Sequence, residues 1–256
     1  MNLAENARLL LRRPAVFLSR RSYILVLSHM RSYSSLLCHI LGSHPEIAGY
    51  AEMHQSYNGR LDLVRLRARV FRSLDGELAG RLVLDKILHN DYSVSESLIN
   101  HSPVYPIFLV RNPVDSLTGI IKMGERIPNV EWYSDPYLVT TYYETRLQCL
   151  AQLAEKIDAR CLFIKAEEMI DASGAALQSI SNFLELEQPL KESYSIFKHT
   201  GEPGWGDDSS AILQGRIVRN PPKDALDIEE RFVSRARRAY EECCRVLASC
   251  GRGRSV

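Results

Sequence analysis

The sequence lacks most of the patterns by which a protein's function is usually recognised. No stretch of its 256 residues approaches the roughly 20 consecutive apolar residues that span a bilayer, so a membrane-spanning protein is not expected. The motifs GxxxxGK[ST], GxGxxG and GxSxG are missing, which excludes a standard Walker NTPase, a usual dinucleotide-binding protein and a GxSxG hydrolase. HExxH is missing too, and no histidine pair has metal spacing on a helix, so we expect no metal.

Cysteine pairs of the CxxC type are also missing. The six cysteines, which have no metal-ligand spacing with histidine, are Cys38, Cys149, Cys161, Cys243, Cys244 and Cys250. We therefore expect reduced thiols in a cytoplasmic protein. Residues 1–21 contain arginines around short apolar runs, without the longer apolar core of a secretory signal. For them we favour a solvated helical lead-in; an Arg-rich presequence and a basic helix on a membrane surface remain open.

The overall composition is that of a soluble globular chain. With 45% apolar and 25% charged residues, the chain is long enough to bury a sizeable core. No linker marks a second domain, and we expect a single domain over residues 1–256 that ends in a helix and tail at 226–256. The net charge of +1 conceals an excess of arginine in residues 1–72. We expect no nucleic-acid partner, but a local basic surface.

Strand and helix patterns alternate along the chain. Strands are predicted at residues 23–27, 47–50, 82–84, 107–110 and 161–164, and helices at 34–41, 61–74, 136–157 and 228–247, with others starting at Asn112–Pro113 and at a cap on Asp171 or Ser173. This order predicts a three-layer α/β fold, a central parallel sheet of about five strands with helices on both faces. Ligands of such sheets bind beyond the C-terminal strand ends. The helix at 61–74 is basic, either as a solvated face or as a lid over an acidic ligand.

The turn after the first strand is a candidate anion site. A strand that turns sharply into a helix leaves backbone N–H groups unpaired, and the helix dipole favours an anion there. Arg31 adds a positive charge, and Ser32, Ser34 and Ser35 add hydroxyl donors. The alternative is an ordinary strand–turn–helix.

Two more cations follow other strands. Arg111 comes directly after the fourth strand, and its planar fork suits a phosphate group; a surface ion pair with Asp115 is the alternative. Lys86 comes with Asp85 after the third strand, as a structural ion pair or as an electrophile.

Five segments resemble, in the same order, motifs of the sulfotransferases that use 3′-phosphoadenylyl sulfate (PAPS). They are RSYSSLL at 31–37, the DK pair at 85–86, FLVRNPVD at 108–115, IKAEEMI at 164–170 with NFLEL at 182–186, and KHTGEPGW at 198–205. The resemblance implies a P-loop-like sulfotransferase fold related to nucleotide kinases. It implies transfer of a sulfuryl group from PAPS to a hydroxyl or amine of a small-molecule, carbohydrate or lipid acceptor, which leaves adenosine 3′,5′-bisphosphate.

The same resemblance implies roles for individual residues. The 5′-phosphosulfate would contact Arg31, Ser32, Tyr33, Ser34, Ser35 and Leu36, the 3′-phosphate would contact Arg111, and a covering loop at 198–218 would include Gly201, Gly204 and Trp205. Two positions depart from the family pattern. Tyr33 stands where the loop usually has Gly, and Gly119 where the second motif usually has Ser, with Ser116 and Thr118 as its nearby substitutes.

In-line sulfuryl transfer would need positive charge at the leaving phosphate and a general base facing the sulfur. Arg31 and Lys86 would supply the charge. The base candidates are Glu52 and His54, ranked jointly first, followed by His89. The other histidines that we considered, read as non-catalytic, are His39, His44, His101 and His199. The rival functions are a P-loop-type small-molecule kinase and a non-catalytic nucleotide-binding protein of the same fold.

Overall fold

Five parallel strands form one sheet in the part of the chain that the computed structural model describes: residues 21–74, 78, 81–127, 130–202, 206–207, 209–219 and 226–250. The strands are β1 (Ser22–Ser28), β2 (Ile47–Ala48), β3 (Leu82–Ile87), β4 (Val104–Val110) and β5 (Leu162–Lys165), in the order β2-β3-β1-β4-β5. The helices are α1 (Ser34–Gly42), α2 (Arg60–Ser73), α3 (Glu96–Asn100), α4 (Pro113–Gly124), α5 (Pro136–Lys156), α6 (Glu168–Asp171), α7 (Ser173–Phe183) and α8 (Glu230–Leu247). Apart from Arg21, the expected lead-in lies outside the described residues.

The central strand, β1, owes its uninterrupted apolar run to burial on both faces. Leu25 and Leu27 pack into one hydrophobic cluster, and Ile24 and Val26 pack into the other. Helices α2, α4, α5 and α8 cover the first face, and α1 and α7 cover the second. The three-layer α/β arrangement predicted from the alternation is therefore confirmed.

β3 and β4 are each three residues longer than predicted, and their pairing in the sheet explains both. β3 continues through Asp85 and Lys86 because it pairs with β1 as far as Ile87. β4 begins at Val104 and tolerates Pro106, since β5 pairs with it only from Ile107 onward and one edge of β4 is unpaired there. Polar residues had suggested an earlier end of β3, and proline a later start of β4.

The predicted cap of α7 is wrong. Its N-cap is Ala172 and has no side-chain cap, whereas Asp171 or Ser173 was expected. Ser173 is the first helical residue, and its hydroxyl donates to the Glu192 carboxylate instead.

The expectation of six reduced thiols is also wrong. Cys161, just before β5, and Cys250, after α8, form a disulfide, so the cysteines give no support to a cytoplasmic location. No helix in the described ranges is long and apolar enough to cross a membrane.

Candidate active site

A cavity of about 800 Å³ lies beyond the C-terminal ends of the strands and collects most of the predicted site residues. Those that line it are Arg31, Ser32, Tyr33, Ser34, Ser35, Leu36, Glu52, His54, Lys86, His89, Arg111, Thr118 and Gly119. Ser116 and Gly201 are not part of its lining. Gly204 and Trp205 lie outside the described residues. Segments far apart in sequence thus meet at one sheet edge, as predicted for a parallel sheet.

The β1–α1 turn has the backbone geometry of a loop with donors on one side. Arg31 and Tyr33 adopt left-handed conformations, with φ of 60° and 62°, and Tyr33 is the N-cap of α1. The amide of Leu37 donates to the Tyr33 carbonyl at 3.0 Å. The amides from Ser34 to Leu36 have no acceptor among the described residues, so the helix start presents free donors. Tyr33 thus adopts a left-handed conformation, which glycine would adopt with less strain.

The side chain of Tyr33 serves as a platform for Arg111. The Arg111 guanidinium carbon lies 4.0 Å from the centre of the Tyr33 ring, and one of its nitrogens donates to the Tyr33 hydroxyl at 2.8 Å. Other guanidinium contacts reach the Arg31 carbonyl at 2.9 Å and the Asp115 carboxylate at 3.1 Å. The ion pair with Asp115 is thus present, and Arg111 still lines the cavity.

Gly119 explains how Arg31 reaches the site. A Cβ at position 119 would lie 3.1 Å from the Arg31 Cβ and 3.3 Å from its Nε, so any side chain there would crowd Arg31. At its far end, Arg31 pairs with the Asp207 carboxylate at 3.0 Å.

Lys86 lines the cavity beside the β1–α1 turn. Its Nζ donates to the Ser35 hydroxyl at 3.0 Å, and the Asp207 amide donates to the same oxygen at 3.1 Å. Gly206 fits between them with φ of 114°, because a Cβ there would lie 2.7 Å from the Ser35 Oγ and 3.2 Å from Nζ.

Asp85 faces the opposite side of the sheet from Lys86, because successive strand residues face opposite ways. It forms no ion pair with Lys86 and instead accepts hydrogen bonds from the Met53 amide and the Tyr57 hydroxyl. The structural ion pair considered for these two residues is wrong.

Several buried polar atoms of the cavity lining have no hydrogen-bond partner among the described residues. They are Arg31 Nε, Arg111 Nε, Thr118 Oγ1 and Glu52 Oε1. Such atoms are rare in folded proteins because burial without a partner is unfavourable. Arg31, Arg111 and Thr118 present hydrogen-bond donors, whereas Glu52 presents an acceptor. With Lys86 and the free amides from Ser34 to Leu36, the side chains of Arg31 and Arg111 make the lining suited to an anion, and Glu52 adds a carboxylate to it.

The three base candidates differ in their surroundings. Glu52 is 9% exposed at its side chain and lies 3.9 Å from His54 Nδ1, whereas the His54 side chain is 47% exposed. His54 has a positive φ of 49° and stacks on Tyr92 at 5.8 Å. Burial lowers the pKa of His89, which favours its neutral form. All three line the cavity, and Glu52 is more sheltered from water than His54.

The serine hydroxyls predicted at the site are not equivalent. Ser32 is fully buried and donates to the His29 carbonyl at 2.7 Å, so its hydroxyl fixes the turn. Ser116 is also fully buried and donates to the Asn112 carbonyl at 2.7 Å. Of the two substitutes considered for Gly119, Thr118 is the one that lines the cavity, and its buried hydroxyl has no hydrogen-bond partner among the described residues.

The basic helix α2 does not form a lid. Its arginines are absent from the cavity lining and contact the protein's own acceptors. Arg65 pairs with Asp62 at 2.6 Å, Arg67 donates to the Tyr23 hydroxyl, and Arg69 donates to the Met53 carbonyl. The lid interpretation of residues 61–74 is therefore wrong.

Sequence reasoning missed two buried residues that shape the site. His29 Nε2 accepts the Arg111 amide at 3.0 Å, and Nδ1 faces the Met30 carbonyl at 2.8 Å, so the proton is on Nδ1. Arg146 donates to the carbonyls that end β1 and β3, those of Ser28 at 2.7 Å and Ile87 at 2.6 Å. An arginine within the apolar stripe of α5 was the available signal for Arg146. For His29 it was a polar residue directly after a buried strand.

The likeness of this chain to known proteins lies among solved structures. No protein-family model and no curated protein matches the chain, whereas 15 chains of solved structures do. Among them is the sulfotransferase domain from the curacin biosynthetic pathway, at 16% identity and a TM-score of 0.48, over 84% of this chain and 98% of that one. At that identity and TM-score the likeness bears on neither the reaction nor the residues, and the chemistry of the site has to be inferred from its geometry.

Proposed function

We propose that this protein is a sulfotransferase that moves a sulfuryl group from PAPS to a hydroxyl or amine. The observation that carries the proposal is the gathering of three cationic side chains, the free amides of a helix start and a sheltered carboxylate around one cavity. Arg31, Lys86 and Arg111 offer positive charge and N–H donors to a ligand, and Glu52 offers a carboxylate. A ligand with two anionic groups and a neighbouring acceptor alcohol satisfies both kinds of group.

In this proposal the β1–α1 turn holds the 5′-phosphosulfate. The free amides from Ser34 to Leu36 and the dipole of α1 attract the anion. Arg31 and Lys86 neutralise the charge that develops on the leaving phosphate as the sulfur–oxygen bond breaks. Thr118 and Arg111, fixed on its Tyr33 platform, hold the 3′-phosphate. This scheme needs no metal, and no group of His, Cys, Asp and Glu in the described ranges is arranged to hold one.

We assign the general base to Glu52, with His54 beside it. A base must lie within reach of the proton that it removes, in a site sheltered from water. Glu52 lines the cavity, and one of its carboxylate oxygens is buried without a hydrogen-bond partner among the described residues. The acceptor's hydroxyl proton would pass to that carboxylate while its oxygen attacks the sulfur in line with the leaving phosphate. A small-molecule, glycan or lipid alcohol can supply such a hydroxyl.

The first test is binding of adenosine 3′,5′-bisphosphate. At a ligand concentration 100 times the dissociation constant, binding stabilises the fold by about 2.7 kcal/mol, which for this size corresponds to a rise in melting temperature of about 5–10 °C. Arg111→Ala should reduce that rise by removing the 3′-phosphate contact. ATP is the control. Stabilisation by ATP and not by the bisphosphate would contradict the proposal and favour a P-loop-type kinase.

The second test separates binding from turnover. Glu52→Gln and His54→Ala should each leave the affinity for the bisphosphate within about twofold, and Glu52→Gln should lower sulfuryl transfer at least about a hundredfold, the low end for losing a general base. Transfer of labelled sulfate from PAPS to a panel of alcohols, sugars and lipids is the measurement. If both variants keep the full rate, the base lies elsewhere; if the wild type binds nucleotide but transfers nothing, a non-catalytic binding protein is favoured.

A further inference from the structure

The segment that carries the two leading base candidates is held by residues outside the cavity. Met53 lies between Glu52 and His54 and is buried. Its amide donates to the Asp85 carboxylate at 2.8 Å, and its carbonyl accepts from the Arg69 guanidinium. The backbone N–H and C=O groups of Met53 are therefore each held by a side chain, one from β3 and the other from α2. Neither Asp85 nor Arg69 lines the cavity.

Asp85 has no role as a counter-ion to its neighbour Lys86. It is fully buried, and its carboxylate accepts the amides of Met53 and Lys86, both at 2.8 Å, and the Tyr57 hydroxyl. Tyr57 is itself fixed, because its amide donates to the Ser93 carbonyl at 2.7 Å. A buried carboxylate with this many donors is an anchor for the backbone around it.

Arg69 completes the arrangement from helix α2. The same guanidinium nitrogen that donates to the Met53 carbonyl lies 3.5 Å from the His54 carbonyl. His54 has a left-handed φ of 49°, a strained conformation for a residue other than glycine that persists when its surroundings impose it. Arg69 and Asp85 are the neighbours that supply those constraints on the peptides around Met53.

We infer that Asp85 and Arg69 are positioning residues that clamp the Met53 backbone and thereby aim Glu52 at the reacting hydroxyl. This inference rests on the proposed function and its assignment of the base. Asp85 and Lys86 are adjacent in β3 and face opposite sides of the sheet. Asp85 binds the amide of Met53, next to Glu52, on one side, and Lys86 binds the Ser35 hydroxyl on the other. The geometry between base and sulfuryl donor is thus set within a single strand, β3. Misplacement of a base by about 1 Å can lower a rate by about a hundredfold.

The test compares Arg69→Ala with Arg65→Ala, a matched control on the same helix. Arg65 is exposed and pairs with Asp62, away from Met53. The probe reaction is release of labelled sulfate from saturating PAPS with water as acceptor, and the affinity for adenosine 3′,5′-bisphosphate is measured by calorimetry. We expect Arg69→Ala to lower sulfate release at least about tenfold with affinity within about twofold. Arg69→Lys should recover part of the rate, and Arg65→Ala should change neither quantity.

A second readout follows the clamp directly. Exchange of the Met53 amide hydrogen, observed by NMR, should become at least about tenfold faster in Arg69→Ala and in Asp85→Asn, because local opening becomes easier, and should stay unchanged in Arg65→Ala. Asp85→Asn keeps the side-chain volume and serves if Arg69→Ala folds poorly. Wild-type sulfate release or wild-type amide exchange in Arg69→Ala would overturn the inference, as would equal losses of affinity and rate. Failure of the wild type to bind the bisphosphate would instead refute the proposed function.

Discussion

His29 shows how one buried side chain fixes the site through its protonation state. Its Nε2 accepts the Arg111 amide only while the ring is neutral. Burial, with the nearby charges of Arg146 and Arg111 acting in the same direction, lowers the pKa of His29 to about 3. A proton on Nε2 would remove the acceptor and place a third positive charge beside the two arginines. The position of Arg111, and with it the proposed 3′-phosphate contact, therefore depends on an uncharged imidazole.

This depression of the pKa predicts an acid-dependent loss of stability. The unfolded chain takes up the His29 proton near the ordinary pKa of 6.5, whereas the folded protein takes it up only near 3. The free energy of unfolding is therefore unaffected by His29 above pH 6.5. As the pH falls from 6.5 toward 3, it declines by at most about 1.4 kcal/mol per pH unit, because the unfolded chain binds the proton and the folded protein does not. His29→Asn, which keeps an acceptor but does not titrate, should show a shallower decline in urea unfolding between pH 6.5 and 4.5. Parallel curves for the two proteins would contradict this account.

Tyr33 makes a similar point about an apparent departure from a motif. A glycine at this position would adopt the left-handed conformation with less strain, but it would remove the ring under Arg111 and the hydroxyl that accepts from it. A cation over an aromatic face contributes about 0.5–2 kcal/mol, comparable with the cost of the backbone conformation. The contacts of the Tyr33 ring and hydroxyl with Arg111 thus offset the strain of the left-handed Tyr33 backbone.

At the scale of elements, the β1–α1 unit was predictable because its signals are local. Residues 23–27 are apolar without interruption, and the hydroxyl-rich stretch that follows begins α1 at Ser34, as predicted. The end of β3 was not predictable, because Asp85 and Lys86 are charged residues that are buried through partners elsewhere in the chain. Local sequence gives no information on partners that lie tens of residues away.

The segment around Asp207 is the clearest case of this kind. Residues 198–208 have no periodicity and were expected to form a loop, which the resemblance implied would cover the nucleotide, but no pattern singled out Asp207. In the fold, Asp207 contacts Arg31 and Ser35, and it also accepts from the Ser209 amide and hydroxyl at 3.1 and 3.0 Å. The carboxylate is thereby directed at the anion site. Only the fold, which brings the turn after β1 next to this segment, shows that contact.

The Arg31–Asp207 pair predicts that an anionic ligand binds against a resident carboxylate. Burial alone would raise the pKa of Asp207, but the Arg31 charge and the Ser209 hydrogen bonds lower it below its ordinary value, so the group is ionised at neutral pH. Asp207→Asn should therefore tighten the binding of adenosine 3′,5′-bisphosphate by up to about fivefold, which corresponds to about 1 kcal/mol, the upper end for a partly exposed ion pair. The gain should shrink at high salt because screening weakens the competing charge.

A matched control is Glu202→Gln. Glu202 pairs with His199 at 2.7 Å and does not line the cavity, so its replacement removes the same charge from a nearby segment without touching Arg31. Calorimetric titration of the three proteins at two salt concentrations is the measurement. Equal affinities in wild type and Asp207→Asn would show that the carboxylate does not compete with the ligand.

At the scale of the whole molecule, the alternation of strands and helices predicted the sheet and the crevice at the C-terminal ends of its strands. It did not predict the disulfide. The disulfide joins Cys161 to Cys250 across 89 residues. Spacing of cysteines in sequence cannot predict such a pair, because the distance between them depends on how α8 packs on α5. The bond ties the segment after α8 to the start of β5, at the opposite end of that strand from the cavity.

Because the disulfide closes so long a segment, we expect its loss to lower the free energy of unfolding strongly and to leave ligand binding at the cavity unchanged. By restricting the unfolded chain, it should stabilise the fold by about 2–5 kcal/mol. Cys250→Ser should lose that amount in denaturant unfolding under oxidising conditions, while the affinity for adenosine 3′,5′-bisphosphate stays the same, since neither cysteine lines the cavity. Reductant should destabilise the wild type to the level of the variant and leave the variant unchanged. Cys149→Ser, at an exposed free cysteine, is the control and should retain the wild-type response to reductant; an equal response in Cys250→Ser would place the effect elsewhere.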